Sequence, residues 1–174
     1  VIIGCAHSTM SKDTLSGCYS SPELLETTYG DNAYGGVLAG ISAYQKNSNG
    51  TIENCYSTVT SANLLNCNDP ITQNTSNWYA GIAVRCTGAT TISNVYSDES
   101  MRAIYSSSGA SSTTTAAESL SVADMTNGTL LQKLQSSSTG AVWVAGANGY
   151  PPLQNLPADP NVKTKAAKKI SVIG

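Results

Sequence analysis

"NGTIENCYSTV", residues 49–59, puts a turn signal ahead of an isoleucine and then a Cys-Tyr-Ser core in which Glu53 is the one charge. The same core is written three times, as "LSGCYSS" at 15–21, "IENCYST" at 52–58 and "ISNVYSD" at 92–98. Four columns align across the copies. They are Leu15, Ile52 and Ile92; Cys18, Cys55 and Val95; Tyr19, Tyr56 and Tyr96; and Ser20, Ser57 and Ser97. The tyrosines stand 37 and then 40 positions apart, the interval of a supersecondary unit that recurs in fixed order. Such a unit buries its apolar face only against its neighbours, which predicts a solenoid.

A second element precedes each core. "VIIGCAHS" at 1–8, "VLAGISAY" at 37–44 and "IAVRCTGA" at 82–89 superimpose as short apolar runs, with Arg85 standing where Gly4 and Gly40 stand. The links "TMSKDT", "QKNSNG" and "TGATT" carry turn-forming residues. Each copy therefore reads strand, turn, strand, longer excursion. Parallel stacking at ~4.8 Å per strand places like side chains above one another, so each column becomes a ladder. The Leu/Ile and Cys/Val columns are an odd number of residues apart, and a straight strand would point them to opposite faces. A bend or bulge between them brings both inward. The expected facing is Leu/Ile and Cys/Val inside and the tyrosines outside; the reverse is the alternative.

The chain has 174 residues, enough for one domain with a continuous core. Charged residues make up 11%, far below the usual quarter. Ser, Thr, Asn and Gly are abundant, the composition of an extracellular, loop-rich β protein. Phe is absent against nine Tyr, which suits a thin structure with few fully buried positions. No segment approaches the ~20 apolar residues of a membrane span, and no signal peptide is evident, so the chain reads as a mature or excised segment.

Five cysteines, Cys5, Cys18, Cys55, Cys67 and Cys86, show none of the spacings zinc requires. A position that takes Cys, Cys and Val is a small buried apolar site holding free thiols. Cys67 lies outside the repeat and is open to exposure or pairing.

The stretch "GGVLAGISAYQKNSNGTIENCYSTV" resembles the GLUG repeat, a Gly-rich motif of large bacterial surface proteins, including secreted proteins of gut Bacteroidetes and regions of IgA-cleaving metallopeptidases. The resemblance covers about residues 1–100 and is strongest at 35–59. A later stretch at 125–154, ending in a Trp and then Gly-Tyr-Pro, is similar to the segment that follows such repeats. The resemblance implies an all-β, right-handed β-helix-like solenoid of about three repeats, at the cell surface or outside the cell. It implies no catalysis, because in the peptidases the chemistry belongs to a separate zinc domain, and the zinc-binding HExxH pattern is missing here.

The division that follows is a solenoid at 1–105, a loop plus helix/strand cap at 106–156, and a basic tail at 157–174. "SSSGASSTTTAAES" at 106–119 reads as a low-complexity loop over the solenoid flank. "TNGTLLQKLQS" at 126–136 reads as an amphipathic helix capped by Thr126, with Leu130, Leu131 and Leu134 on one side. "AVWVAG" reads as a strand, and Trp143 and Tyr150 as cap core rather than a ligand platform.

Enzymatic constellations are missing. His7 is the one histidine, with no identifiable partner, and Glu53 aligns with Ser16 and Ser93, so no carboxylate column forms. Asp98-Glu99 reads as a solvated acidic pair in a turn. Nothing suggests a cofactor, a metal or a basic stripe for nucleic acid. The chain is expected to be a non-catalytic structural or adhesive module whose partners are other copies of itself or neighbouring domains. The alternative is a glycan-binding module, with Tyr19, Tyr56 and Tyr96 stacking sugar rings of host or cell-surface glycans. "DTL" at 13–15 resembles the O-glycosylation signal of Bacteroidetes, which makes Thr14 a candidate acceptor.

The ends carry a further expectation. The chain opens on "VIIG" and closes on "KKISVIG". Residues 157–174 hold four Lys and one Asp, whereas the preceding body holds five Lys/Arg against ten Asp/Glu. Opposite charge favours docking, so Ile170, Val172 and Ile173 are candidates to add as a strand beside Val1, Ile2 and Ile3, within one chain or between copies. A plain linker is the competing reading.

Overall fold

A computed structural model describes residues 14–21, 25–26, 37–41, 45–46, 50–65, 78–84, 86–87, 90–105, 113–137 and 142–154. Among these residues thirteen strands follow one another: β1 (Thr14–Ser16), β2 (Tyr19–Ser20), β3 (Leu25–Glu26), β4 (Val37–Ala39), β5 (Gln45–Lys46), β6 (Thr51–Ser57), β7 (Leu64–Leu65), β8 (Trp78–Ala80), β9 (Ala83–Val84), β10 (Cys86–Thr87), β11 (Thr91–Asp98), β12 (Ile104–Tyr105) and β13 (Thr113–Leu120). Two short helices come last, α1 (Val122–Thr126) and α2 (Thr129–Gln135). The described protein is strand-rich, with little helix.

The largest sheet runs β1-β6-β11-β13, with β2 also paired to β6. All its pairs are parallel. Leu15, Ile52, Ile92 and Thr114 stand in one register, as do Tyr19, Tyr56, Tyr96 and Glu118. The columns read from the three copies are thus real strand neighbours, and a fourth strand joins them. All but the last residue of β13 lies in the stretch at 106–119 expected to be a loop. Its "TTTAAESL" lacks the Cys-Tyr-Ser core, yet Ser119 stands beside Ser97 and Ala117 beside Val95. Low complexity hid a strand whose pairing is imposed by its neighbour, a case of tertiary context deciding β structure.

The four smaller sheets, β3-β7, β4-β8, β10-β5 and β12-β9, are also parallel pairs. Here one alignment is corrected. Val37 pairs with Trp78 and Ala39 with Ala80, so "VLAGI" lies beside "WYAGI", and Gly40 meets Gly81 rather than Arg85. The reason is steric. A Cβ on Gly40 would lie 2.1 Å from the Gly81 carbonyl oxygen and 2.2 Å from Ser57 Oγ, and one on Gly81 would lie 2.3 Å from Ser97 Cβ. The glycines let the turn press against the serine column, a place arginine cannot occupy.

The expected bend between the inward columns is a single left-handed residue. Gly17 has φ 62°, Asn54 φ 53° and Asn94 φ 52°. Glycine enters this region freely and asparagine is the side chain that best tolerates it. The inserted residue turns the strand so that Ile52 and Cys55, three positions apart, are both fully buried in one cluster with Ile41, Ile82, Ile92, Val95 and Ala103. Leu15, Cys18, Ile104 and Ala117 pack against that cluster from partly buried positions.

The tail residues Ile170, Val172 and Ile173, the opening Val1, Ile2 and Ile3, and His7, Cys5 and Cys67 lie outside the described residues.

Candidate functional site

On the other face of the sheet stands the tyrosine column. After the left-handed residue ordinary alternation resumes, so Cys55 points into the first cluster, Ser57 stands beside Gly40, and Tyr56 points away into the second cluster. The direction matches expectation, but exposure does not. Tyr56 and Tyr96 are each 2% exposed, buried among Leu120, Met125, Leu130, Leu134 and Trp143. A solvent-facing strip of three tyrosines therefore does not exist. The residues that cover the column come from the chain after residue 119, which the repeat gives no means of placing.

That cover is built from local rules. Ser121 caps α1, its side chain accepting from the Asp124 backbone N–H at 3.1 Å. Thr126, expected as a cap, instead ends α1 and donates back to the Val122 carbonyl at 2.8 Å. Gly128, with φ 99°, turns the chain and stands as N-cap of α2. α2 then buries Leu130 and Leu134, with Leu131 partly buried. Trp143 forms an isolated antiparallel bridge with Leu153 in place of the expected strand, and is buried as expected of cap core.

The aromatic groups interlock. Tyr19 stacks on Tyr56 with centroids 5.4 Å apart and planes 9° from parallel, and Trp143 lies 5.4 Å from Tyr56 and 6.2 Å from Tyr19. The Tyr56 hydroxyl donates to the Pro151 carbonyl at 2.9 Å, tying the sheet to the "GYPPL" segment. The Tyr96 hydroxyl donates to Asn94 Oδ1 at 2.9 Å, so the residue making the left-handed bend also satisfies the tyrosine two positions on. Burial holds the phenols neutral: it pushes Tyr56 upward, reinforced by Tyr19 and Tyr150, and pushes Tyr96 up to about 12, reinforced by Glu118.

At the β1/β2 edge the cover stops short and leaves a cleft of about 210 Å³. Tyr19, Ser21, Thr58, Asn148, Tyr150 and Pro152 line it, and none of the described lining residues is charged. Thr58 Oγ1 donates to Ser21 Oγ at 2.9 Å, and Asn148 Oδ1 accepts from the Tyr150 N–H at 3.2 Å. Tyr19 is the partly buried end of the column among the described residues, with one ring face on Tyr56. Asn148 and Pro152 have no counterpart in the repeat. A Gly-Tyr-Pro turn following a buried tryptophan was the signal available for them, and it points to core as readily as to a cleft.

The remaining candidates are placed as follows. Thr14 is exposed on the edge strand β1. Asp98 is 3% exposed rather than solvated, because it closes a turn: its Oδ1 accepts from the Ser100 backbone N–H at 2.9 Å and from the Ser100 hydroxyl. Glu99 is exposed. Cys18 and Cys55 are free thiols on neighbouring passes of the chain. Among the described residues no group of three His, Cys, Asp or Glu side chains converges as a metal site would require, and no helix is long and apolar enough to cross a membrane. No family model matches this chain, and comparison with curated proteins and with solved structures returns no match.

Proposed function

We propose that the chain is a non-catalytic structural or adhesive module of an extracellular or cell-surface protein, built as a right-handed β-helix-like solenoid of the GLUG-repeat kind with a helical cover on one flank. The observation that carries this reading is the shared register of β1, β2, β6, β11 and β13. Equivalent residues recur at offsets of 37, 40 and 22, and each turn of chain buries its apolar column against the next. A protein organised this way is extended by stacking and offers strand edges at its ends. β1 stands at one end of the sheet order, and the Lys-rich tail is a strand donor of opposite charge to the body. Light scattering and electron microscopy of the full chain, against a version lacking residues 161–174, test the assembly role. Concentration-dependent head-to-tail growth that the deletion abolishes is the expected result. A monomer at high concentration, with assembly and melting temperature indifferent to the deletion, refutes strand addition.

A second reading is favoured by the cleft beside Tyr19. Among the described residues its walls offer an aromatic ring, hydroxyls and one amide and no charge, the chemistry that holds a neutral sugar ring. Its volume suits a single ring rather than a long chain. A glycan-array signal lost in both Tyr19→Ala and Tyr150→Ala, with folding intact, is expected if the module binds glycans. Absence of any signal from the folded protein, or a signal that both variants retain, rules this site out.

A further inference from the structure

We propose that Cys18 and Cys55 form a redox pair that closes into a disulfide when the protein meets a hydroperoxide, clamping the edge of the sheet to the strand inside it. Their placement follows from the column register. Tyr19 pairs with Tyr56 and Ser20 with Ser57, which sets Cys18 opposite Cys55. The Cys18 N–H donates to Cys55 Sγ at 3.4 Å, and the Tyr56 N–H donates to the Cys18 carbonyl at 3.1 Å. Neighbouring strands lie ~4.8 Å apart, inside the ~4.4–6.8 Å Cα range that a disulfide spans. Both thiols are free.

The two sulfurs differ in the way a two-step oxidation needs. Cys18 is partly exposed at the edge, whereas Cys55 is fully buried one strand in. The side-chain hydrogen bond from Cys55 lowers the Cys18 thiol to about 7, against the opposing effect of burial, and the same contact together with burial raises Cys55. The outer sulfur is therefore the nucleophile and the inner one the resolving thiol. In the first step the Cys18 thiolate attacks a peroxide oxygen, the O–O bond breaks, and hydroxide leaves, giving a sulfenic acid. In the second the Cys55 sulfur attacks the Cys18 sulfur, the S–O bond breaks, and the hydroxyl departs with the Cys55 proton as water. The two thiols lose two electrons, and hydrogen peroxide is reduced to two waters.

The location gives the bond a purpose. Further along, the column continues as Val95 and Ala117, so within the described column Cys18 and Cys55 are the pair able to close. The strand it would hold is the most broken one, since β1 and β2 are separated by the left-handed Gly17 and by Cys18 itself. A clamp between positions 37 apart removes unfolded-state freedom and tethers the edge.

The test treats the reduced full-length protein with hydrogen peroxide, alkylates remaining thiols under denaturing conditions, and maps the peptides by mass spectrometry. A peptide pair joined through Cys18 and Cys55 is expected, with a raised melting temperature that reductant reverses. Cys55→Val installs the residue the column already carries at Val95, so the fold survives, and peroxide then leaves a dimedone-reactive sulfenic acid at Cys18, formed more slowly than in the parent because the hydrogen bond that lowers its thiol is gone. In Cys18→Ser, Cys55 stays reduced. Oxidation of Cys18 to sulfinic acid with Cys55 still alkylatable, or joining of either to another cysteine in the folded protein, overturns the proposal.

Discussion

The two faces of the β1-β6-β11-β13 sheet are built by different rules. On one, Ile52, Cys55, Ile92 and Val95 close against Ile41, Ile82 and Ala103, all from segments belonging to the same repeating passes. On the other, Tyr56 and Tyr96 close against Met125, Leu130, Leu134 and Trp143, from a part of the chain that contains no repeat. The first face is repetitive and self-sufficient; the second depends on a unique cover folding back. A column of identical residues therefore fixes stacking and direction, while its exposure is decided by sequence elsewhere.

The comparison is broken most severely at Ile52. Ile52→Asp puts an unpaired charge at a fully buried position between Leu15 and Ile92, with no cation in its cluster. A cost of ~3–5 kcal/mol or more is expected, enough to consume most of the stability of a marginal domain. Thermal and denaturant melts followed by circular dichroism should show early unfolding or failure to fold.

Next comes Tyr56→Ser, which distinguishes a wet column from a covered one. An exposed tyrosine would yield within ±0.5 kcal/mol. Because Tyr56 is buried, truncation is expected to cost ~3–5 kcal/mol for the lost ring, and it leaves the Pro151 carbonyl without its hydroxyl donor. If the melt shifts as little as for a surface residue, the cover over the tyrosine face does not form in solution.

Gly81→Ala probes the first face by overpacking. The added Cβ meets Ser97 Cβ at 2.3 Å, so the turn and β11 must separate, at ~1–3 kcal/mol. Raising the pH strains both faces, the first through the buried Cys55 thiol, which its contact with Cys18 and burial push upward, and the second through Tyr96. An unfolded tyrosine loses its proton near 10.0, whereas Tyr96 in the folded protein holds it up to about 12. Between those values the unfolded state binds fewer protons, so the stability that is complete below about 10 declines as pH rises through that window. Ultraviolet tyrosinate titration of the folded protein should show delayed ionisation, and Tyr96→Phe should reduce the alkaline loss.

The legibility of this chain follows the same division. Leu15, Ile52, Ile92 and the Cys/Val column could be assigned to the interior because the copies differ there only among apolar residues. The requirement for a bend between them followed from their odd spacing, and Gly17, Asn54 and Asn94 supply it. The Gly40–Gly81 register was misread because an apolar run can be slid along its neighbour, and the deciding contact, with Ser57 and Ser97, is long-range. β13 was illegible since Thr114, Ala117 and Glu118 occupy columns that β11 fills with Ile92, Val95 and Tyr96. The cleft beside Tyr19 was illegible for a related reason: Asn148 and Pro152 are brought to it by the cover, and nothing in the repeat encodes where the cover ends.

The smallest effect is expected where the cover meets the end of the tyrosine column. In β13 the tyrosine position is taken by Glu118, whose carboxylate accepts from Lys133 Nζ of α2 at 2.8 Å, and that ammonium lies 5.8 Å from the centroid of the Tyr96 ring. Glu118 and Lys133 retain 42% and 33% of their side-chain exposure, so water screens the pair and its net contribution is below ~1 kcal/mol. Lys133→Met keeps an aliphatic stem over the ring while removing the charge. A double-mutant cycle with Glu118→Gln, read by denaturant melts at low and high salt, separates the ion pair from the packing. A small coupling that fades with salt would place cover docking in the buried Leu130, Leu134 and Trp143, and the charge pair at the rim. A coupling of ~2 kcal/mol or more that resists salt would mean that the last position of the column is held by charge, and that the two faces differ in electrostatics as well as in repetition.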